Sequence, residues 1–259
     1  MNLVEAIVIA IVEGLTEFLP VSSTGHMILT SYCLGIENTE FLKTFEISIQ
    51  LGAILAIAIM YAKRFLVGLD IYFKLFAAFV PTAIIGFLAY GFIKEHLFSP
   101  FVVSISLILG GIILIFLDKI VAQKESEYVE VEHISYRRAV SIGLVQCLSI
   151  IPGVSRAGAT IIGGIFNGLD KKQATEFSFL LAVPTMIAAT GYDLLKTPLK
   201  FNQTQFFLLG VGLITAFIFA WIAVKLFMKF LNTYGFSFFG WYRIVIGVLF
   251  LILIYLQLI

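Results

Sequence analysis

The sequence predicts an all-α polytopic membrane protein, and two observations lead to this fold class. First, 60% of the 259 residues are hydrophobic and 13% are charged, whereas soluble domains average about 25% charged residues. Second, the segments 75–93, 97–117 and 201–224 contain no formally charged residue, and each approaches or exceeds the roughly 20 apolar residues of a spanning helix. The net charge of +1 also gives no basic surface that would indicate a nucleic-acid partner.

The cysteines and the N-terminus indicate neither a metal centre nor a cleaved leader. Cys33 and Cys147 lie in apolar surroundings without metal-ligand spacing, so we interpret them as small hydrophobic residues. The first residues lack a basic region and include Glu5, which is not typical of a cleaved signal peptide. We therefore treat residues 1–259 as a single integral membrane domain.

The first element is a polar interruption that has an echo in the second half of the chain. Residues 13–26, EGLTEFLPVSSTGH, separate two apolar segments, and VSSTG at 21–25 resembles VSRAG at 154–158, each following a proline. A second match, FEISIQLGA from Phe45 and TEFSFLLAV from Thr175, has nearly the same offset. These matches predict two repeats, about 1–122 and about 134–259.

Each predicted repeat contains one interrupted region followed by three spans. In order, the interrupted regions and their spans are about 3–35 with 45–62, 71–93 and 100–118, and about 137–169 with 173–193, 203–226 and 238–257. The segments 4–12 and 22–34 are too short to cross about 30 Å at ~1.5 Å per residue. We therefore predict two re-entrant helix-turn-helix hairpins plus six transmembrane helices, and rank two full spans per interrupted region as the alternative.

The distribution of lysine and arginine predicts the orientation. With three spans between the hairpins, the topology is an interdigitated inverted repeat, and one side collects twelve basic residues against four on the other. The twelve are Lys63, Arg64, Lys74, Lys119, Lys124, Arg137, Arg138, Lys171, Lys172, Lys225, Lys229 and Arg243, and the four are Lys43, Lys94, Lys196 and Lys200. The richer side is expected to be cytoplasmic. Both termini then lie on the outer face, and the hairpins meet near the midplane, where paired interruptions indicate a site.

Charged residues in the two hairpin turns point to phosphate chemistry. Glu13 and Glu17 are four residues apart and share one helix face. Close carboxylates favour Mg²⁺ or Ca²⁺, which proteins hold together with substrate phosphates. Arg156, too deep to reach an interface easily, supplies a guanidinium that binds phosphate through two parallel hydrogen bonds.

Hydroxyl residues beside these charges suggest a nucleophile. Ser22, Ser23 and Thr24 precede an apolar segment, where they either cap the helix or help its N-terminus to bind an anion. His26 follows Ser23 by three residues, which places an imidazole within reach of a hydroxyl. Together these residues predict a metal-assisted site for a phosphorylated, lipidic substrate.

The two polar segments resemble the signature motifs of the bacterial undecaprenyl-pyrophosphate phosphatase family, also called the bacitracin-resistance family. The resemblance rests on EGLTEFLPVSSTGH, PGVSRAGAT, IQLGAILA and EFSFLLAVPTM, and covers essentially the whole chain. It implies an enzyme of the bacterial plasma (inner) membrane that removes one phosphate from undecaprenyl pyrophosphate and needs a divalent cation. The monophosphate product is the carrier lipid for peptidoglycan and other wall polymers. It also implies a site that opens to the outer face.

The resemblance transfers functional roles to matching positions of this chain. They are Glu13, Glu17, Ser23, His26, Ser155, Arg156 and Thr160. We expect Glu13 and Glu17 to hold Mg²⁺ or Ca²⁺, Ser155, Arg156 and Thr160 with Ser22 and Thr24 to bind the substrate, and Ser23, His26 and Glu17 to be catalytic. Ala157 stands where the family usually has serine, so no catalytic hydroxyl is expected there.

The residues leave several alternatives open. The nucleophile is Ser23 with His26 as acid and base, His26 itself, or a metal-activated water. A lipid flippase or secondary transporter would share the inverted-repeat fold, and a structural membrane subunit would need none of these side chains. Membrane lipids surround the protein, and its oligomeric state, including a homodimer, is left open.

Overall fold

The computed structural model describes residues 1–97, 99–123, 130–196 and 201–258, and the regular secondary structure in these residues is helical. The α-helices are α1 (Leu3–Thr16), α2 (Ser23–Cys33), α3 (Glu40–Met60), α4 (Ala62–Phe65), α5 (Asp70–His96), α6 (Pro100–Gln123), α7 (Tyr136–Gln146), α8 (Arg156–Phe166), α9 (Lys171–Lys196), α10 (Gln203–Tyr234) and α11 (Ser237–Tyr255). Among them, six are long and apolar enough to cross a membrane, namely α3, α5, α6, α9, α10 and α11. The predicted all-α polytopic membrane fold with six spans is confirmed.

The first polar interruption folds into two short helices. A capping box between Asn2 and Glu5 begins α1, and the helix ends before Pro20, which has no N–H to continue the ladder. Ser22, with a φ of 71°, precedes the first turn of α2. The helices contain 14 and 11 residues, so at ~1.5 Å per residue neither reaches about 30 Å.

The second interruption has the same organisation. Ser135 accepts a hydrogen bond from the Arg138 N–H at the start of α7, and a short 3₁₀ turn, Cys147–Ile150, follows that helix. Ser155, with a φ of 77°, precedes α8. Each of α7 and α8 contains 11 residues, and the two turns therefore interrupt the chain in similar ways.

Each pair of short helices is here called a hairpin. Contacts near the first residues of each hairpin show at which end of the bundle it begins. At one end, Ala6 of α1 shares an apolar cluster with Leu42 of α3 and Leu208 of α10. At the other end, Arg64 bonds Glu132, just before α7, and Glu176 of α9. Each hairpin thus starts at the same end of the bundle as the span that follows it. The two hairpins enter from opposite ends, and their turns meet inside.

The two halves of the chain are packed into each other. Helix α1 packs on α10 and α7 packs on α5, while α3 contacts α9 and α6 contacts α11. Glycines allow the last pair to approach closely, since a Cβ on Gly240 would lie 2.6 Å from the Gly111 carbonyl oxygen. Each hairpin consequently rests on a span of the other half, which brings the turns at Pro20 and Pro152 into one region.

One residue of the charge comparison was placed wrongly. The lysine and arginine comparison counts Arg243 on the cytoplasmic side, but its side chain lies inside α11 and is 1% exposed. Its guanidinium binds backbone carbonyl oxygens in the protein interior and does not face either aqueous side. Of the remaining basic residues compared, Lys124 and Lys200 lie outside the described residues.

Candidate active site

The last turn of α1 carries a buried carboxylate without a partner. Gly14 packs α1 against α10, since a Cβ there would lie 2.6 Å from the Ala216 carbonyl oxygen. Glu13, next to it, is 0% exposed, and within the described residues neither of its carboxylate oxygens has a hydrogen-bond partner. An ion or a proton must offset the cost of burying this carboxyl group.

Glu17, one turn further, joins the two hairpins. Its Oε2 accepts a hydrogen bond of 2.5 Å from the Ser23 hydroxyl, and its Oε1 accepts one of 3.1 Å from Nη2 of Arg156. Glu17 and Arg156 are separated by 139 positions in the chain and come from opposite ends of the bundle. The structure therefore brings together a carboxylate, a hydroxyl and a guanidinium that the sequence placed in two motifs.

Arg156 is the first residue of α8, and its side chain is 11% exposed. Besides Glu17, its guanidinium bonds the Ser178 carbonyl oxygen at 3.2 Å and lies 5.5 Å from the centre of the Phe18 ring. Its buried Nε has no hydrogen-bond partner among the described residues. The guanidinium is thus held in place while its Nε–H remains free to donate.

Ser22 and Ser155 occupy equivalent positions in the two turns. Both are N-cap residues in the left-handed backbone region, with φ values of 71° and 77°, which costs about 1–3 kcal/mol for a residue other than glycine. The Ser155 hydroxyl accepts from the Gly158 N–H at 3.1 Å, whereas Ser22 makes no side-chain cap bond. The N-termini of α2 and α8, which attract anions, are presented to the same region.

The expected contact between Ser23 and His26 is not formed. Nδ1 of His26 lies 2.8 Å from the Ser22 carbonyl oxygen, and Nε2 lies 2.7 Å from the Tyr242 hydroxyl. In the neutral ring, Nδ1 therefore carries the proton and Nε2 accepts from Tyr242. The imidazole is also stacked on the Tyr242 ring, with a centroid distance of 5.5 Å. Both ring nitrogens are engaged away from Ser23, whose hydroxyl donates to Glu17 instead.

Two threonines from the sequence motifs lie at the edge of this arrangement. Thr160 is fully buried, and its hydroxyl bonds the Arg156 carbonyl oxygen at 2.9 Å and the Ser178 hydroxyl at 2.6 Å. The Thr160 hydroxyl therefore links the first turn of α8 to Ser178 of α9. Thr24 is half-buried in α2, next to Ser23.

Sequence reasoning missed three residues of the site. Ser178 supports Arg156 and Thr160, Tyr242 contacts His26, and Arg243 binds both turns. Only Arg243 left a signal, because it is a single charge within the predicted span 238–257, where charged residues are costly and functional. Tyr242 and Ser178 are ordinary residues in membrane helices, and their roles depend on helix packing.

The donor set suits a cation that is shared with a ligand. In the described part of the chain, no group of three or more His, Cys, Asp and Glu side chains could hold a metal ion. The donors are the orphaned carboxylate of Glu13 and the neighbouring Glu17. Two carboxylates plus phosphate oxygens of a substrate are a common ligand set for Mg²⁺, so the residues fit a cation that binds with a phosphorylated ligand.

Together these observations define a class: a polytopic membrane protein with an interior acid, arginine and hydroxyl site suited to phosphoryl chemistry. The family model described as bacitracin resistance protein BacA matches residues 6–249, and the chain belongs to this family, as its motifs predicted.

Full-length relatives in other bacteria carry one name. A protein named undecaprenyl-diphosphatase from Wolinella succinogenes is 53% identical over 251 residues, which are 97% of this chain and 98% of that protein. Proteins of the same name from Aquifex aeolicus and Persephonella marina are 52% and 50% identical over 247 and 254 residues. These matches cover 95% and 98% of this chain, and 96% and 100% of the two relatives.

Proposed function

We propose that this protein hydrolyses undecaprenyl pyrophosphate to undecaprenyl phosphate and inorganic phosphate. The observation that carries the proposal is the convergence of Glu17, Ser23 and Arg156 between two hairpin turns, beside the orphaned carboxylate of Glu13. The relatives' name states the same substrate and reaction. The product is the carrier lipid for wall polymers, and its recycling accounts for the resistance to bacitracin in the family's description.

The two turns supply the binding groups for a pyrophosphate. The Arg156 guanidinium and the first backbone N–H groups of α2 and α8 bind phosphoryl oxygens, since helix N-termini and arginine both favour phosphate. Ser22, Thr24 and Ser155 lie at these N-termini. Thr160, with its hydroxyl already engaged, holds the helix start on which Arg156 is mounted.

Glu13 and Glu17 would hold Mg²⁺ or Ca²⁺ against the pyrophosphate oxygens. A bound divalent cation supplies charge neutralisation for the phosphoryl group as it is transferred. The unpartnered oxygens of Glu13 support this assignment, because a buried carboxylate usually coordinates a metal or pairs with another group.

The hydrogen bond between Ser23 and Glu17 supports a serine nucleophile. In this step the Ser23 Oγ–P bond forms, the bond from phosphorus to the bridging oxygen breaks, and the serine proton passes to Glu17. Undecaprenyl phosphate leaves, and water then hydrolyses the phosphoserine. His26 binds the Ser22 carbonyl oxygen through Nδ1 and orients this turn. The alternatives, His26 or water as nucleophile, predict a phosphohistidine or no covalent species.

The orientation follows from charge. The bundle end that carries Lys63, Arg64, Lys171 and Lys172 is cytoplasmic by the positive-inside rule. The hairpin of α1 and α2 is then re-entrant from the outer face of the bacterial plasma membrane, both termini are on that face, and the site opens there.

The test is metal-dependent phosphate release by the purified full chain in detergent, with undecaprenyl pyrophosphate as substrate. We expect release that stops on chelation and returns with Mg²⁺ or Ca²⁺, and that needs about tenfold more metal in Glu13→Gln. A transporter or flippase would release no phosphate in detergent, where no compartments exist. If folded, monodisperse protein releases no phosphate when metal and substrate are supplied, the proposal is wrong.

Two variants test the roles of Glu17 and Arg156, and two more identify the nucleophile. Glu17→Gln should lower kcat at least about 100-fold, because the carboxylate that binds Ser23 and Arg156 is lost. Arg156→Lys keeps the charge but loses the planar fork, so KM should rise. A structural subunit would tolerate both changes. Rapid quench in acid and, separately, in alkali, with substrate labelled at its terminal phosphate, is compared between wild type, Ser23→Ala and His26→Ala. Phosphoserine survives the acid and phosphohistidine survives the alkali, so the two quenches together identify the nucleophile.

A further inference from the structure

Arg243 is a buried cation in the middle of a membrane-spanning helix. It is the seventh residue of α11 and is 1% exposed. Among the described residues it forms no ion pair with a carboxylate, and its recorded partners are all backbone oxygens. A charge this deep is costly and is retained where it serves function.

Each of the five N–H groups of Arg243 has an acceptor. Nε donates to Leu107 O at 3.3 Å. Nη1 donates to Pro20 O at 3.0 Å and to Val154 O at 2.9 Å. Nη2 donates to Gly153 O at 2.9 Å and to Ser106 O at 3.0 Å. One guanidinium therefore connects the first turn, the second turn and α6.

The turn oxygens depend on this guanidinium. In the described part of the chain, the carbonyl oxygens of Pro20, Gly153 and Val154 accept from Arg243 and from no backbone N–H outside the helices. Non-helical backbone at membrane depth needs internal hydrogen-bond partners, because lipid offers none. Arg243 supplies donors to both turns at once.

The space around the guanidinium is shaped by glycine. A Cβ on Gly110 of α6 would collide with the guanidinium of Arg243, and a Cβ on Gly158 of α8 would lie 3.4 Å from Nη1. The guanidinium thus fills a slot between α6, α8 and the two turns. Planarity matters in such a slot, since a lysine ammonium has three donors on a flexible stem.

We propose that Arg243 is a positioning residue that fixes the distance between the two hairpin turns, and with it the alignment of Ser23 and Glu17 against Arg156. Pro20 precedes Ser22 by two residues, and Val154 directly precedes Ser155 and Arg156. Arg243 acts through these backbone segments and does not touch the substrate. The inference rests on the proposed phosphatase function.

The first test compares Arg243→Lys with Arg137→Lys, a matched change at an exposed arginine of α7. We measure kcat and KM for undecaprenyl pyrophosphate on purified, monodisperse protein, well below each variant's thermal midpoint. We expect kcat of Arg243→Lys to fall about 100-fold, the effect of a misplacement of about 1 Å, with KM within about threefold of wild type. Arg137→Lys should match wild type.

A second variant keeps the test decisive if Arg243→Lys does not fold. Gly110→Ala leaves Arg243 in the chain but displaces its guanidinium, whereas Gly210→Ala places the same methyl group in α10, where nothing lies within 4 Å. We expect a roughly tenfold lower kcat with unchanged KM for Gly110→Ala, and wild-type values for Gly210→Ala.

The outcomes separate this inference from the proposed function. If wild type releases no phosphate, the proposed function fails. If wild type is active and folded Arg243→Lys and Gly110→Ala both retain kcat within about threefold, Arg243 only stabilises the fold and the inference is wrong. A large rise in KM at unchanged kcat would make Arg243 a substrate ligand, which also contradicts it.

Discussion

At the scale of single residues, the site consists of buried polar groups that complete one another across the two hairpins. Glu17 is paired with Ser23 and Arg156, and His26 is paired with Ser22 and Tyr242. The carboxylate oxygens of Glu13 have no hydrogen-bond partner among the described residues. Because an unpaired polar group is expensive inside a membrane, each partner fixes the geometry of the next.

The hydroxyl of Tyr242 should matter through His26. Tyr242→Phe removes the donor to Nε2 and leaves the ring stack, so we expect kcat to fall about threefold to tenfold, equivalent to one hydrogen bond of about 1 kcal/mol. The measurement is steady-state phosphate release, with Tyr255→Phe as control, since Tyr255 is 86% exposed. In a His26→Ala background the same change should cost nothing more; an additive loss would show that Tyr242 acts independently of His26.

At the scale of elements, the N-terminus of α11 is capped by another helix. Asp118 of α6 accepts from the backbone N–H groups of Phe236 and Ser237, each at 2.7 Å, and from the Ser237 hydroxyl at 2.8 Å. It also pairs with Lys171 at 2.5 Å. Tyr242 and Arg243 lie in α11. The cap therefore helps to fix the position of α11 along its axis, and with it the positions of these two side chains.

Asp118→Ala should therefore lower the thermal stability of the protein. Loss of charged hydrogen bonds to a helix N-terminus costs about 1.5–3 kcal/mol, and a chain of this size loses roughly 2–4 °C of thermal midpoint per kcal/mol. Thermal unfolding in detergent gives the comparison, with Glu37→Ala as the control for removing an exposed carboxylate. An unchanged midpoint would show that the cap is dispensable.

At the scale of the whole molecule, two hairpins enter from opposite ends of the bundle. The end with Arg64 is held by its bonds to Glu132 at 2.6 Å and Glu176 at 2.7 Å. The other end is closed by apolar contacts of α1, α3 and α10. Basic residues concentrate at the first of these ends, and we therefore propose from the positive-inside rule that this end is cytoplasmic.

Cysteine labelling tests that orientation. Cys33 is exposed at the end of α2, and Glu130 is exposed before α7 at the opposite end. In spheroplasts, an impermeant maleimide should label Cys33 in a Cys147→Ser background. It should label a Glu130→Cys thiol, in a chain without Cys33 and Cys147, only after lysis. Reversed labelling would invert the orientation, and labelling of both from one side would contradict hairpins that enter from opposite ends.

The helical elements and the motifs that bear the chemistry were predictable from the order of residues alone. Long apolar segments require helices in a membrane, because backbone groups there must bond internally, and the six spans predicted from them match the observed ones. Pro20 and Pro152 predicted the breaks. The residues Glu13, Glu17 and Arg156 were recognisable because charge in an apolar segment is rare.

Which polar groups become partners depends on how the helices pack in three dimensions. Sequence spacing suggested that Ser23 pairs with His26, but the turn at Ser22 directs the hydroxyl to Glu17 and the imidazole to Tyr242. Lysine and arginine counting placed Arg243 on the cytoplasmic side, while packing of α6 on α11 buries it among the carbonyl oxygens of both turns. Periodicity and charge are local properties of a chain, whereas the contacts of His26 with Tyr242 and of Arg243 with Pro20 and Gly153 join residues 90 or more positions apart in the sequence.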